Sequence, residues 1–224
     1  MTTAVTRSDA EIQRDVLAEL DWEARVQPNE VGVSVRDGVV ILTGWVDNYA
    51  KKWAAERAVQ RLRGVRAVAN DIEVRLPGEA ERLDPDVALA AIRALEWDSF
   101  VPIENLDLTV SNGWVMLRGV VEWGYQKRAA EQAVRRLAGV RGVTNLVTVQ
   151  PDNRPSARDL ERDIRNALVR SMESAAEGIG VAVEGDRVVL TGTARSWLER
   201  AEAERVAWSA RGVAGVDDRI SVLA

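Results

Sequence analysis

Apolar residues recur along the chain in a pattern that is written three times. Near the start of each copy they lie four residues apart, a spacing that places them on one face of a helix. The three sets are Ile12, Val16 and Leu20, then Val87, Ala91 and Leu95, then Leu160, Ile164 and Leu168. Asp9, Asp84 and Ser156 stand where the N-cap of such a helix is expected. The pattern therefore predicts an amphipathic first helix in each copy.

Two runs of alternating apolar residues follow each first helix and flank a two-residue turn. Asp37-Gly38 and Asn112-Gly113 favour a type I′ turn, and Gly185-Asp186 lies at the same place in the third copy. A two-residue loop puts alternate residues of both strands on one face of the hairpin. The pairs that we assign to the core are Val35/Val40 and Val33/Leu42, Val110/Val115 and Leu108/Leu117, and Val183/Val188 and Val181/Leu190.

The opposite face of the hairpins is less polar than a sheet facing water. Val39 and Ile41 lie on it in the first copy, and Trp114 and Met116 in the second. Single apolar residues are common on protein surfaces, so one interpretation is ordinary scatter. The other is a face that binds a neighbouring copy or a partner. These four residues are the candidate partner surface.

A second helix and a last strand complete each copy. Small apolar residues line the inner side of the helix, and Gly64, Gly139 and Gly212 occupy the C-cap position after it. Because β–α–β connections are right-handed, the last strand should lie parallel to the second strand. The order helix, strand, strand, helix, strand predicts an α+β fold, with a three-stranded mixed sheet and both helices on one face.

Glycines set the period of the repeat. Gly44, Gly119 and Gly192 are separated by 75 and 73 residues, and the C-cap glycines keep the same intervals. Such a long period predicts three tandem αββαβ domains, which are small enough to need stabilising contacts with their neighbours. We divide the chain into an N-terminal tail (1–8), domain 1 (9–76), a linker (77–83), domain 2 (84–150), a linker (151–156) and domain 3 (157–224).

Composition narrows the chemistry of the chain. Its 224 residues include no cysteine and no histidine, and the net charge of −5 is spread over all three domains. These absences remove thiolate nucleophiles, the usual general base near neutral pH and the commonest transition-metal ligand. No carboxylates have the spacing of a calcium loop. We therefore expect no catalysis, no metal and no cofactor, and no nucleic-acid partner because no domain is basic overall.

The N-terminal residues and the length of the apolar runs predict the cellular location of the chain. Residues 1–9 lack the apolar segment of a signal peptide, and no apolar run is long enough to cross a membrane. These features predict a cytoplasmic location, which includes a peripheral position at the inner face of the membrane.

The second helices of domains 1 and 2 carry local positive charge with aromatic residues beside it. Each Lys or Arg near an anionic membrane surface contributes about 1 kcal/mol to binding. A charged helix face in water is the alternative, because acidic residues are interspersed. The candidate membrane-binding residues are Lys51, Lys52, Trp53, Arg57, Arg61 and Arg63 in domain 1 and Lys127, Arg128, Arg135 and Arg136 in domain 2.

Eight tryptophans are many for a chain with a single phenylalanine. Trp22 and Trp97 recur at the end of the first helix, and this recurrence predicts that each packs against its own sheet, with contact to a ligand as the alternative. Those that do not recur in register are candidates for contacts between domains or with a partner, namely Trp45, Trp114, Trp123, Trp197 and Trp208.

The order of elements, the turn glycines and the ending Gly-Val-x-x-Val-x-Asn resemble the BON domain, named for bacterial osmotically inducible and nodulation proteins. The resemblance is clearest at residues 113–119 and 125–134, whereas domain 3 departs from it with Asp218 in place of the asparagine. It implies a non-catalytic domain that binds phospholipid surfaces or hydrophobic ligands in osmotic-stress and envelope proteins.

Two functions follow as expectations. The first is a stress-related protein that binds an anionic phospholipid surface or an amphiphilic ligand. The alternative is a soluble interaction scaffold or chaperone-like holdase that binds protein partners through its apolar sheet faces.

Overall fold

The computed structural model describes residues 7–27, 29–78, 82–152, 155–185 and 187–223. Domain 1 contains α1 (Asp9–Trp22), β1 (Val31–Arg36), β2 (Val39–Val46), α2 (Tyr49–Gln60), β3 (Ala67–Asn70) and β4 (Glu73–Val74). Domain 2 contains α3 (Asp84–Trp97), β5 (Leu106–Ser111), β6 (Trp114–Val121), α4 (Gly124–Val134), β7 (Gly142–Asn145) and β8 (Thr148–Val149). Domain 3 contains α5 (Ala157–Met172), β9 (Ile179–Glu184), β10 (Arg187–Ala194), α6 (Trp197–Trp208) and β11 (Gly215–Val222). Short 3-10 helices at Ile103–Asn105 and Glu173–Gly178 precede β5 and β9.

The middle strand organises each sheet. It pairs antiparallel with the first strand and parallel with the last, as β2, β6 and β10 all do. The alternate residues predicted for the core are buried on the middle strands, where Val40, Leu42, Val115 and Leu117 are fully inaccessible to solvent. On the first strands only Val181 is buried, and the other predicted residues are half-buried and pack against the cores. The predicted α+β fold of three repeated helix–sheet units is therefore confirmed.

The asparagine of the repeat interrupts the last strand in domains 1 and 2. Asn145 Oδ1 accepts the N–H of Val147 at 3.2 Å, and its amide donates to the carbonyl of Lys127 at 2.8 Å. In domain 3 Asp218 Oδ1 still accepts a main-chain N–H, from Ile220. Its other oxygen accepts Arg200 Nε at 2.7 Å. The exchange of Asn for Asp is thus matched by an arginine, and β11 runs on without a break.

Two of the three predicted N-caps are wrong. Ser8 caps α1 in a capping box with Glu11, and Leu83 precedes α3 with no side-chain cap. Asp9 and Asp84 are instead the first helical residues, and their carboxylates reach the type I′ turn of the same domain. Asp84 accepts the main-chain N–H groups of Asn112 and Gly113, both at 2.8 Å, and Asp9 does the same in domain 1. Ser156 Oγ does accept the N–H of Asp159, as expected of a cap.

Glu23, directly after α1, links three parts of domain 1. Its carboxylate accepts hydrogen bonds from Arg25 Nε at 2.7 Å, Arg25 Nη2 at 2.8 Å and Arg61 Nη2 at 3.4 Å. The hydrogen bonds from Arg25 lower the pKa of Glu23 to about 2, although burial of the carboxylate opposes the shift. The carboxylate therefore stays charged in the folded domain well below its ordinary pKa.

This depressed pKa predicts a specific acid sensitivity. The stabilising contribution of Glu23 is fully present above pH 4.5, where the unfolded chain has also ionised, and is lost as the pH falls towards 2. Glu23→Gln should therefore be less stable than the wild type at pH 7 and should lose less stability between pH 4.5 and pH 2. Urea unfolding at a series of pH values measures how the free energy of unfolding changes with pH in the wild type and in the variant. Parallel slopes would contradict the assignment.

Contacts between second helices join the three domains into a closed ring. The first residue of each second helix, Tyr49, Gly124 or Trp197, lies against the next domain. The Tyr49 hydroxyl hydrogen-bonds the backbone of Val143, and its ring packs on the core of domain 2. Burial raises the pKa of this phenol. Trp208 of domain 3 covers Gly124 so closely that an added Cβ would lie 2.8 Å from its ring.

The third contact closes the ring between domains 3 and 1. Trp197 Nε1 donates to the carbonyl of Val65 at 2.8 Å, and the indole packs against the core of domain 1. Arg63 and Ser196 form an isolated β-bridge beside it. Since equivalent contacts repeat and close, the domains are related by an approximate three-fold rotation. Such a rotation keeps equivalent residues on the same side of the ring.

Candidate functional site

Two of the predicted membrane-binding cations are engaged within domain 1. The Lys51 side chain is largely buried, with Nζ 2.9 Å from Asp47 and 3.5 Å from Glu30. Arg61 joins the end of α2 to α1 through Glu19, with Nε 2.7 Å from its carboxylate. Both side chains hold elements of the domain together.

Four further residues of that set lie in the contacts between domains. The guanidinium of Arg135, which is buried, lies 3.7 Å from the ring centre of Trp53 across the boundary between domains 2 and 1. Arg57 lies over the same indole at 5.6 Å. Arg128 is half-buried against α6, and burial together with the nearby charge of Arg205 lowers its pKa. These side chains form part of the ring.

The remaining four residues are separated from one another. Arg63 and Arg136 are exposed in different domains, whereas Lys52 and Lys127 are half-buried and line grooves between domains. The structure thus does not bring the ten residues together as one basic face.

The candidate partner surface is also divided between domains. Val39 and Ile41 are half-buried on β2, and Met116 is half-buried on β6. Trp114 is 50% exposed, and its Nε1 donates to the hydroxyl of Thr144 on the adjacent strand at 2.8 Å. The contacts that close the ring run through the second helices, and Trp114 also lines the groove between domains 1 and 2.

Trp22 and Trp97 do not pack against their sheets, contrary to the prediction. Their side chains are 83% and 89% exposed, the highest values among the large apolar residues that the structure describes. Each lies two residues beyond the last core residue of its helix, Leu20 or Leu95, which turns it roughly 200° away from the core. This angle was available from the sequence and would have placed both side chains in solvent.

Trp22 and Trp97 occupy equivalent positions, each at the last residue of the first helix of its domain. In domain 3 the equivalent residue is Arg170, which is exposed and follows Val169, itself 55% exposed. In domain 2 a second aromatic group lies after Trp97, with the ring of Phe100 edge-on to Tyr125 at 5.9 Å. Tyr125 in turn stacks on Trp123 at 6.4 Å. We name Trp22, Trp97 and Arg170 the helix-end surface.

Acidic residues flank both tryptophans. Asp21 precedes Trp22, and Glu96 precedes Trp97, and both carboxylates are exposed. An interface that uses these tryptophans therefore has no reason to prefer an anionic partner, because like charges repel. The chemistry that the helix-end surface offers is aromatic and amphipathic rather than basic.

The fold defines a protein built from three tandem α+β repeats. The BON domain family matches the chain three times, at residues 8–75, 84–151 and 156–224. The chain belongs to the BON domain family. In the described part of the structure, no three His, Cys, Asp or Glu residues are grouped so that they could hold a metal ion, and no helix has the length and apolar character to cross a bilayer.

Known proteins of two kinds are similar to this chain. The osmotically-inducible protein Y of Escherichia coli (strain K12) is 28% identical over 141 residues, which cover 61% of this chain and 70% of that protein. Two solved structures of CdsD, a structural protein of the type III secretion system of Chlamydia trachomatis, are 14% identical with a TM-score of 0.27. The matches cover 95% and 97% of this chain and 92% and 100% of the two solved chains, the second of which is the C-terminal domain of CdsD, and this TM-score is too low to relate the domain arrangements.

Proposed function

We propose that this chain is a non-catalytic protein of the osmotic-stress response that binds phospholipid surfaces through its helix-end surface. The exposure of Trp22 and Trp97 carries the proposal, since a soluble domain gains nothing for its own folding from two indoles in water. Tryptophan has a marked preference for the boundary between the headgroups and the hydrocarbon of a bilayer. The relation to an osmotically inducible protein supplies the physiological context.

Geometry supports a peripheral mode of binding at the membrane surface. In this proposal the closed ring, which carries Trp22 and Trp97 at equivalent positions, brings both indoles to one membrane surface. Two linked weak contacts then act together, so the overall affinity exceeds that of either domain alone. The chain contains neither histidine nor cysteine, and this composition supports a binding role without chemistry.

The lipid preference separates this proposal from binding by basic helices. The indoles of the helix-end surface need no anionic headgroup, and the neighbouring carboxylates disfavour one. We therefore expect binding to vesicles of zwitterionic phospholipid, with at most a weak dependence on salt. A basic helix would instead require anionic lipid and would release the membrane as salt rises.

Vesicle co-sedimentation tests the proposal directly. Trp22→Ala combined with Trp97→Ala should lower the partition coefficient on zwitterionic vesicles on the order of 100-fold, because each buried aromatic is worth about one factor of ten or more. Trp45→Ala is the matched control, since Trp45 is 46% exposed on β2, outside the helix-end surface, and lies near Arg75. Its binding should equal that of the wild type.

Other results would redirect the assignment. Binding that requires anionic lipid and is abolished by Arg63→Gln with Arg136→Gln would move the contact to the second helices. A wild-type chain that binds neither kind of vesicle would refute the phospholipid function itself.

A further inference from the structure

Two equivalent grooves separate consecutive domains. The first lies between domains 1 and 2 and has a volume of about 800 Å³, and the second lies between domains 2 and 3 with about 1080 Å³. One wall of each is an unbroken run of chain, residues 70–76 in the first groove and 147–152 in the second. On the face of a sheet only alternate residues would line a groove. A wall of consecutive residues is therefore the edge of a strand.

The main chain of that edge is open. Arg75 N donates inward to the carbonyl of Val46, and Gln150 N donates inward to the carbonyl of Val121, both at 2.8 Å. Because neighbouring residues of a strand direct their N–H groups to opposite sides, the N–H of the preceding residue points outward. These preceding residues are Val74 and Val149, which belong to strands that pair with the middle strand and with no other strand that the structure describes.

Each groove also contains a lysine from the second helix. Lys52 and Lys127 occupy equivalent positions, and neither Nζ lies within ion-pair distance of a described carboxylate. In domain 3 the equivalent residue is Arg200, which is neutralised by Asp218 at 2.7 Å. A lysine without an ion pair thus accompanies the two grooves, whose linings also contain carboxylates, Asp71 and Glu73 in the first groove and Glu122 and Asp152 in the second.

We propose that each groove binds an extended acidic segment of a partner protein. The segment adds as a short strand to the open edge at Val74 or Val149, and its main-chain carbonyl accepts the outward N–H. An acidic side chain of the segment then pairs with Lys52 or Lys127. A polypeptide is the occupant that supplies both a main chain matching a strand edge and a carboxylate. This site is separate from the helix-end surface and does not depend on lipid binding.

Proline distinguishes the two grooves. Leu76 and Pro151 are equivalent residues that follow the open edge by the same interval, and a proline has no N–H to offer. The first groove therefore provides one more main-chain donor than the second. We expect it to bind the peptide more tightly.

Fluorescence anisotropy with a labelled peptide of four Glu-Val repeats tests the charge contact on the full chain. Lys52→Gln with Lys127→Gln should weaken binding at least tenfold, as expected for loss of a charge-assisted hydrogen bond. Arg93→Gln is the matched control, because Arg93 is an exposed cation on α3 away from both grooves, and it should bind as the wild type does. Equal affinity of the double variant, or no binding of the peptide by the wild type, would overturn the proposal.

A second arm tests the main-chain contact. Two peptides are compared, one methylated on the odd-numbered backbone nitrogens and the other on the even-numbered ones. Their affinities should differ at least tenfold, since only one of them keeps its free N–H groups on the side that faces the sheet edge. Leu76→Pro should weaken the tighter site and keep the thermal midpoint, because domain 2 carries proline at that place. Equal binding of both methylated peptides together with an unaffected Leu76→Pro variant would show that charge alone attracts the peptide, and would overturn strand addition.

Discussion

Trp197→Ala is expected to open the ring between domains 3 and 1. The substitution removes an indole that packs against the core of domain 1 and leaves the carbonyl of Val65 without its donor. Since Trp197 is half-buried, the loss in free energy of unfolding should be about 2–3 kcal/mol, below the full cost of a core Trp→Ala change. Small-angle X-ray scattering should show a larger radius of gyration, because domains 1 and 2 and domains 2 and 3 stay joined while the third contact opens.

Limited proteolysis gives an independent measure of the closed ring. Cleavage at the predicted linkers, 77–83 and 151–156, should leave fragments of the wild type that migrate together on gel filtration. The same fragments of Trp197→Ala should separate more readily. Trp45→Ala, which removes an exposed indole that takes no part in the ring, should change neither measurement. A variant that keeps the wild-type radius of gyration would contradict the assigned role of Trp197.

Gly119→Ala is expected to cause the largest loss of stability of any single methyl addition in domain 2. Gly119 has a φ of +132°, and an added Cβ would lie 2.1 Å from the carbonyl oxygen of Asn105. The residue would have to leave a region that L-amino acids avoid, and the chain before β5 would have to move. We expect the free energy of unfolding to fall by about 3 kcal/mol or more.

Gly78→Ala is the control for this prediction. A Cβ at Gly78 meets nothing within 4 Å, so the change should stay within about 0.5 kcal/mol of the wild type. Urea denaturation followed by tryptophan fluorescence measures both variants. Comparable stability of Gly119→Ala and Gly78→Ala would mean that the backbone before β5 adapts without cost. Gly44 and Gly192 meet the same close carbonyl in their own domains, which explains why this glycine marks every copy of the repeat.

The elements of the fold follow from local pattern. Four-residue spacing predicted the first helices, and Asp37-Gly38 predicted a type I′ turn, which the structure confirms with positive φ at both residues. The predicted N-caps at Asp9 and Asp84 were wrong because an aspartate near the start of a helix can accept hydrogen bonds from a turn as well as from the helix itself. Their carboxylates bind a turn that is distant in sequence, and periodicity carries no information about such a contact.

The site was harder to predict because ring contacts decide which side chains remain free. Arg135 and Trp53 have the composition of a basic aromatic surface, but they face each other across a domain boundary. The lack of register of Trp197 and Trp208 did indicate contacts between domains, and the structure confirms it for both. Which domains would meet was not predictable, because closure between the first and last copies depends on the angle of each contact.

A single chain gives each contact of the ring its own chemistry. Three identical subunits would have to use one residue at every equivalent place, whereas here Tyr49, Gly124 and Trp197 face different partners. Each contact therefore fits only one pair of domains, and the ring can form only if the domains follow one another in the same cyclic order. A circularly permuted gene encoding the order 2–3–1 preserves every junction, whereas the order 1–3–2 mismatches all of them. The copies have therefore become non-interchangeable parts of one assembly while keeping a common fold.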